Sequence, residues 1–282
     1  MPKTIGNPLS WTFAALSSAA GYATVVVAPA RENVAPVTQR LTMGDLRSAL
    51  RKGWEDLTAM RSDVMFACML YPLMGAVLLG LAAQGSMAHL LFPVLSGFAL
   101  VGPVAGLGLY ELSRRREAGL EVGWASMFDV LRSPRFPRIV MLALFNGVIF
   151  MAWLLIADAI HGATLGPDRP AGVMALLNEA VSTSAGWVMI VVGTGVGFVL
   201  AAAVLAVSVV SFPLLLDRDV SLPVAVMTSV RVARENPRVI AAWGLVVAVG
   251  LAAGILPFLV GLIVVLPVLG HATWHLYRAA VV

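Results

Sequence analysis

The sequence has little charge and almost no cysteine. Only 12% of its 282 residues are charged, 60% are hydrophobic, and the mean hydropathy is +0.91. Soluble domains are about a quarter charged, and one water-facing core could not bury this much apolar surface. The only cysteine, Cys68, cannot form an intrachain disulfide, and its isolation excludes a Cys-x-x-Cys metal or redox motif. These shortages predict a protein that crosses a membrane several times.

Motifs of known enzymes are also missing. The chain contains no Gly-x-Ser-x-Gly nucleophile elbow, no His-Glu-x-x-His zinc motif and no dinucleotide-binding glycine pattern after a strand. Serine, histidine and aspartate are present, but no spacing selects a catalytic triad from them. We therefore predict a protein that is not an enzyme and that holds no cofactor.

Six hydrophobic runs approach or exceed the roughly 20 residues that a membrane-spanning helix requires. They are Val64–Ala83, Leu90–Leu112, Ile139–Ile160, Trp187–Leu216, Val239–Gly254 and Leu256–Tyr277. The fourth run is longer than a bilayer requires, so we expect it to tilt, to kink near Pro213 or to project into the cytoplasm. The predicted fold class is all-α, a polytopic membrane bundle of six transmembrane helices arranged as three helical hairpins.

The basic residues lie almost entirely on one side of these runs. All of the 19 lysines and arginines except Arg169 fall in the segments that the positive-inside rule assigns to the cytoplasm. Both termini are therefore predicted to be cytoplasmic, and the pI of 9.7 requires no nucleic-acid partner. Residues 1–40 are expected to form a loosely ordered arm before a single membrane domain over residues 41–282. Leu9–Ala30 leaves two alternatives open, an extra span or a cleaved signal.

An internal repeat divides the membrane domain into units of about 44–116, 121–220 and 221–278. Counted from Pro103 and from Pro267, two glycines, two aromatic residues and two arginines align. Each unit is predicted to begin with an amphipathic helix on the cytoplasmic face, followed by one hairpin. In the first such helix the apolar stripe comprises Leu46, Leu50, Trp54 and Leu57.

Small residues recur at a spacing of four within the runs. Such Gly-x-x-x-Gly pairs allow helix backbones to approach closely, which predicts a role in helix packing. The glycines concerned are Gly102, Gly106, Gly193, Gly197, Gly250 and Gly254.

Ionisable residues inside predicted spans are costly, so they are the candidates for a functional site. In the repeat register, Glu111, Asp217, His271 and His275 are expected to converge at the cytoplasmic mouth of the bundle. His271 and His275 share one helix face, and together with a carboxylate they could hold a metal or relay a proton. The alternative is a structural polar network, in which Glu111 pairs with Arg114 or Arg115.

A second set of residues is expected to meet lipid headgroups or to anchor the helix ends at the membrane interface. Arginine and aromatic side chains suit this position because each has a polar tip on an apolar body. The set comprises Arg114, Arg115, Arg116, Trp274, Tyr277 and Arg278.

Four segments of the chain are similar to one known family. They are SGFALVGPVAGLGLYELSRRRE (96–117), SVVSFPLLLDRDV (208–220), VMTSVRVARENP (226–237) and LPVLGHATWHLYR (266–278). On these segments the chain resembles the Domain of Unknown Function 2189 family of bacterial integral membrane proteins, from about Thr42 to Arg278. The resemblance implies a multi-pass protein of the bacterial inner membrane. It implies no activity, because none is established for the family.

Three functions follow as hypotheses. The first is a non-enzymatic membrane component that acts through helix packing, through anionic lipids of the cytoplasmic face or through a membrane-protein partner. The second is a permease or channel-like carrier of a small solute or ion, with its pathway between the repeats. The third is a haem or metal-handling factor that uses His271 and His275. A closed, apolar centre favours the first hypothesis, and a polar cavity at the midplane favours the second.

Overall fold

The structure is a computed structural model that describes residues 35–60, 69, 72–73, 75–77, 80, 85–168, 170 and 172–282. Over these residues the protein is helical, and extended chain pairs only in an isolated antiparallel bridge between Thr38 and Val281. The predicted all-α class is therefore confirmed. Leu9–Ala30 and most of the first predicted span, Val64–Ala83, lie outside the described residues.

The described residues also include two 3-10 helices, Gly85–Leu90 and Trp124–Arg132. In chain order the α-helices of the described residues are α1 (Met43–Ala59), α2 (Leu91–Ala105), α3 (Leu107–Glu117), α4 (Phe136–Thr164), α5 (Val173–Ser182), α6 (Ser184–Ser208), α7 (Ser211–Asp217), α8 (Leu222–Glu235), α9 (Pro237–Ile255) and α10 (Leu262–Ala280).

Three stretches of helix are long and apolar enough to cross a membrane. They are α4, the combined α6 and α7 (Ser184–Asp217), and α9. A fourth is added if the segments Met87–Gly97 and Ala99–Ala105, bent by 48°, form one span. The last predicted span, Leu256–Tyr277, is not among the candidate spans found in the described residues. The reason is that the second half of α10 carries polar side chains. A membrane protein with three or four candidate spans is thus shown, and the count of six stays a prediction.

The helix formed by the fourth hydrophobic run, Trp187–Leu216, is interrupted, as the length of the run predicted. Its helix breaks at Val209 and Val210, four residues before Pro213, because proline has no N–H to donate to the carbonyl of residue i−4. Serines replace the lost backbone bonds. Ser229 Oγ accepts from the Val210 N–H at 3.1 Å and donates to the Ala206 carbonyl at 2.8 Å. The break is therefore fixed by α8 and is not a free hinge.

Helix α1 packs along α10, and this contact positions the polar residues described below. Thr42 and Asp45 form a capping box that starts α1. Gly53 then lies so close to α10 that an added Cβ would be 2.7 Å from the Ala272 nitrogen and 2.8 Å from the Val268 carbonyl oxygen. The predicted apolar stripe of α1 needs one correction, since Trp54 is 53% exposed and Ala49, Gly53 and Asp56 are buried instead.

The segment before α1 is tied to the end of the chain. The Val282 N–H donates to the Val37 carbonyl, and the Gln39 N–H donates to the Ala280 carbonyl. Asn236, buried between α8 and α9, accepts from the Leu41 N–H at 2.6 Å. Residues 37–40 of the predicted N-terminal arm, together with Leu41, are therefore held in place, whereas residues 1–34 lie outside the described part of the chain.

Candidate functional site

A buried carboxylate, Asp56, is the centre of the polar cluster between α1, α3 and α10. Its side chain accepts hydrogen bonds from Ser113 Oγ at 2.6 Å and from His275 Nε2 at 2.9 Å, and it pairs with Arg116. Ser113 Oγ also lies 2.8 Å from Nδ1 of His271. Asp56 is 4% exposed and His271 is fully buried. The two histidines of the sequence motif therefore meet a residue on the first helix, not Glu111 or Asp217.

The environment of Asp56 keeps its carboxylate ionised. Burial by itself raises the pKa of Asp56, but the hydrogen bonds from His275 and Ser113 and the nearby charges of His271 and His275 outweigh burial. The pKa of Asp56 consequently falls to about 2. A carboxylate with this pKa is charged at neutral pH, and it binds donors from α3 and α10 to α1.

Ser113, His271 and Asp56 contain the residue types of a hydrolase triad but not its geometry. In such a triad the histidine lies between serine and carboxylate, whereas here the Ser113 hydroxyl donates directly to Asp56. All three residues are at least 96% buried, so the serine has no access to a substrate. The arrangement is suited to holding helices together.

The two predicted acidic members of the cluster lie elsewhere. Glu111 is buried and bonds both Arg114, at 2.7 and 2.8 Å, and Arg115, at 3.1 Å. Asp217 accepts from Tyr277 Oη at 2.7 Å and lies 3.6 Å from Arg278. Asp56, Glu111 and Asp217 thus form separate contacts at this end of the bundle, where the sequence predicted one convergent site.

The aromatic residues expected at the membrane interface are in the core. Trp274 is 1% exposed and donates to Glu117 at 2.9 Å, and Tyr277 is fully buried against Asp217. The predicted headgroup arginines are engaged as well: Arg114 and Arg115 with Glu111, Arg116 with Asp56, and Arg278 with Glu117. Exposed aromatic side chains at this end are instead Trp54, Trp124 and Phe128.

The six predicted packing glycines divide into two groups. An added Cβ at Gly197, Gly250 or Gly254 would contact a neighbouring helix, and one at Gly106 would contact Tyr110 within α3. Gly102 and Gly193 have nothing within 4 Å at that position, so they do not mediate close contact. Helix contacts that depend on glycine occur at Gly53 and at Gly270, whose Cβ would lie 2.4 Å from Leu109.

A large apolar cavity of about 580 Å³ lies between α2, α3, α6, α8, α9 and α10. This volume is within the range of small-molecule and cofactor pockets. The cavity follows α9 from Pro237 to Leu251, a distance of about 20 Å at 1.5 Å per residue. Its lining includes Phe198 on α6 and Leu245 on α9, which are 72% and 66% exposed, so it opens sideways between these two helices.

The lining offers few polar groups. Among the residues that the structure describes, the lining contains no aspartate, glutamate, lysine, arginine or histidine. Its hydroxyls belong to Tyr110, Ser208 and Thr273, of which Ser208 bonds Asn146 at 3.0 Å and Thr273 donates to the Leu269 carbonyl at 2.7 Å. Gly102 lies on the cavity wall, so no atom lies within 4 Å of the position that a Cβ would take there. The cavity can therefore hold an apolar chain, whereas a polar solute would find almost no partners.

The described residues contain no group of three or more His, Cys, Asp or Glu that could hold a metal. A second buried polar contact lies at the opposite end of the bundle, where His89 bonds Asp158 at 2.9 Å and stacks at 4.8 Å on His161. These three residues make further contacts, so they form part of a larger polar network.

Sequence reasoning missed Asp56 and the cavity. A signal for Asp56 existed, because it follows Gly53 by three residues and so lies on the stripe of α1 that includes Leu46, Ala49 and Leu57. An acid on a buried stripe requires a partner. The cavity had no comparable signal, since its walls come from six helices distributed between Ala99 and Thr273.

Comparison with known families agrees with the membrane fold. Residues 91–217 match the family model described as "Predicted integral membrane protein (DUF2189)". The match runs from the first residue of α2 to the last residue of α7, and it includes the cavity walls from α2, α3 and α6. Among curated proteins and among solved structures, none shows significant similarity to this chain. Over residues 91–217 the chain is therefore similar to the DUF2189 family of predicted integral membrane proteins.

Proposed function

We propose that this protein is a non-enzymatic component of the bacterial inner membrane that binds the acyl chain of a lipid in its lateral cavity. In this proposal both termini are cytoplasmic and the six predicted runs cross the bilayer as three hairpins. The single observation that carries the proposal is the apolar cavity of about 580 Å³, which opens between α6 and α9.

The position of the cavity favours a lipid over a water-soluble ligand. Its opening is flanked by exposed apolar side chains such as Phe198 and Leu245. Exposed apolar surface also covers α4, where Leu144 and Val148 are 60% and 68% exposed. Such surface faces acyl chains in a bilayer, so a ligand enters the cavity from the membrane. Each methylene that moves into the cavity from water would contribute about 0.8 kcal/mol, and less from lipid.

The other hypotheses receive less support from the geometry. Transport of an ion or polar solute requires partners along a pathway, and the cavity lining has no charged residue among those described. A haem or metal site at His271 and His275 would have to displace Asp56 from Nε2 of His275, and His271 is fully buried and already bonds Ser113 through Nδ1. A membrane-protein partner remains compatible with lipid binding, because exposed aromatic residues such as Trp124 and Phe128 lie outside the cavity.

Filling the cavity is expected to abolish lipid binding. Gly102→Leu places a side chain where no atom lies within 4 Å of the new Cβ. The leucine side chain would occupy space that the acyl chain needs, so labelling of the cavity residues should be lost. The measurement is photo-crosslinking in nanodiscs with a phospholipid that carries a diazirine in its acyl chain, followed by mapping of the labelled residues.

Gly193→Leu is the matched control. It makes the same change within a helix, and an added Cβ at Gly193 also has no atom within 4 Å, but Gly193 does not line the cavity. Labelling of α6 and α9 residues in the cavity should persist in this variant and in the wild type. Equal labelling in Gly102→Leu and wild type, or labelling spread evenly over the exposed helix faces, would disprove the proposal.

A further inference from the structure

We infer that the ligand of the cavity is an anionic phospholipid, whose headgroup is bound by Arg234 and Arg238 at the corner between α8 and α9. This inference rests on the proposed function, because it concerns the polar end of the same lipid. Arg234 and Arg238 would select the lipid by the negative charge of its headgroup.

These arginines differ from those of α3 and α10 in having no carboxylate partner among the described residues. The arginines of α3 and α10 all form ion pairs with Asp56, Glu111 or Glu117. Arg231, Arg234 and Arg238 are exposed and form no ion pair with any described residue. Their positive charge is therefore available to an anion from outside the chain.

Arg234 and Arg238 each follow, in the sequence, a residue that lines the cavity. Ala233 and Pro237, the residues next to them, both belong to the cavity lining. Pro237 is also the first residue of α9, and the cavity extends from it toward Leu251. A lipid whose acyl chain lies in the cavity would thus bring its phosphate to the corner of α8 and α9.

The corner itself is held rigidly by a buried asparagine. Asn236, 5% exposed, accepts from the Leu41 N–H at 2.6 Å and donates to the Val232 carbonyl at 3.0 Å. Glu235, the acid nearest in sequence, accepts from Thr38 Oγ1 at 2.9 Å. The corner therefore presents two free guanidinium groups from fixed backbone, and guanidinium groups bind phosphate through paired N–H donors.

The test compares phosphatidylglycerol with phosphatidylcholine of the same acyl chains, each carrying the diazirine probe, in nanodiscs of wild type, Arg234→Gln and Arg238→Gln. The wild type should prefer phosphatidylglycerol, and each substitution should reduce this preference about fivefold. Arg47→Gln is the control, because Arg47 is exposed on α1, forms no ion pair with any described residue and does not line the cavity. It should leave the preference unchanged.

The outcomes separate this inference from the proposed function. If Gly102→Leu abolishes labelling by both lipids but the arginine variants keep the wild-type preference, the headgroup assignment is wrong and the cavity assignment stands. If Gly102→Leu changes nothing, the proposed function itself fails. Free glycerol phosphate is added as a competitor. Displacement of phosphatidylglycerol at similar concentrations would indicate a site for soluble phosphate and overturn the lipid assignment.

Discussion

Asp56→Ala is expected to detach α1 from α10 and to destabilise the protein by about 3 kcal/mol. Removing one partner of a buried ion pair costs about 3–5 kcal/mol, because the other partner is left uncompensated. We expect the lower end of this range because the Arg116 side chain is 41% exposed and can be hydrated when its partner is removed. Ser113 and His271 are buried, so their polar atoms cannot be hydrated in this way. Hydrogen exchange of residues 43–59 and the melting temperature in detergent measure the effect.

The adjacent acid provides the control for this substitution. Glu55 pairs with Arg51 at 3.4 Å, with both side chains at least half exposed, so Glu55→Ala should change stability by less than about 1 kcal/mol. If both substitutions have the same small effect, Asp56 does not hold α1 in place.

The contribution of Asp56 also predicts a dependence on pH. Its pKa is lowered from an ordinary value of about 3.9 to about 2 in the folded protein. A lowered pKa means that the stabilisation is complete well above pH 4 and is lost as the pH falls toward 2. The difference in stability between wild type and Asp56→Asn should therefore narrow over this window. A difference that stays constant down to pH 2 would contradict the role of the charged carboxylate.

Gly53→Ala should have the second largest effect. The added Cβ would lie within 3 Å of backbone atoms of Ala272 and Val268, which cannot rotate away. Helix α1 must then move from α10, and overpacking of this kind costs about 1–3 kcal/mol. This cost exceeds the gain of up to about 1 kcal/mol that alanine brings to a helix. Faster hydrogen exchange in residues 43–59 would report the movement.

The matched substitution lies in the same helix. At Gly44 an added Cβ meets only Thr42 Oγ1, at 3.3 Å, so Gly44→Ala should be neutral or stabilising by up to about 1 kcal/mol. A loss of stability at Gly44 equal to that at Gly53 would show that helix packing is not responsible.

The sequence predicted those parts of the fold that depend on long, local patterns. Helices α4, α6 with α7, and α9 coincide with three of the predicted runs, because a stretch of about 20 apolar residues has few alternatives to a helix in a membrane. The interruption near Pro213 was also predictable, since it follows from the chemistry of a single residue.

The candidate site was only partly predictable because its contacts join distant parts of the chain. His275 was selected from its motif, but its partner Asp56 is 219 residues away. The aromatic residues Trp274 and Tyr277 have the composition of an interface anchor, and only the packing of α1 and α3 around them shows that they are buried. The glycine motif at Gly102 predicted a helix contact, whereas the structure has a cavity there.

The contact between α1 and α10 also sets the order of assembly during synthesis. Because His275 follows Asp56 by 219 residues, a ribosome needs on the order of 10–40 s to supply the partner of α1. During this interval the buried stripe of α1, with its charged Asp56, has no helix α10 to cover it. Assembly of the bundle is therefore completed by its last helix, and a chain whose translation stops before Leu262 exposes this stripe to chaperones and proteases.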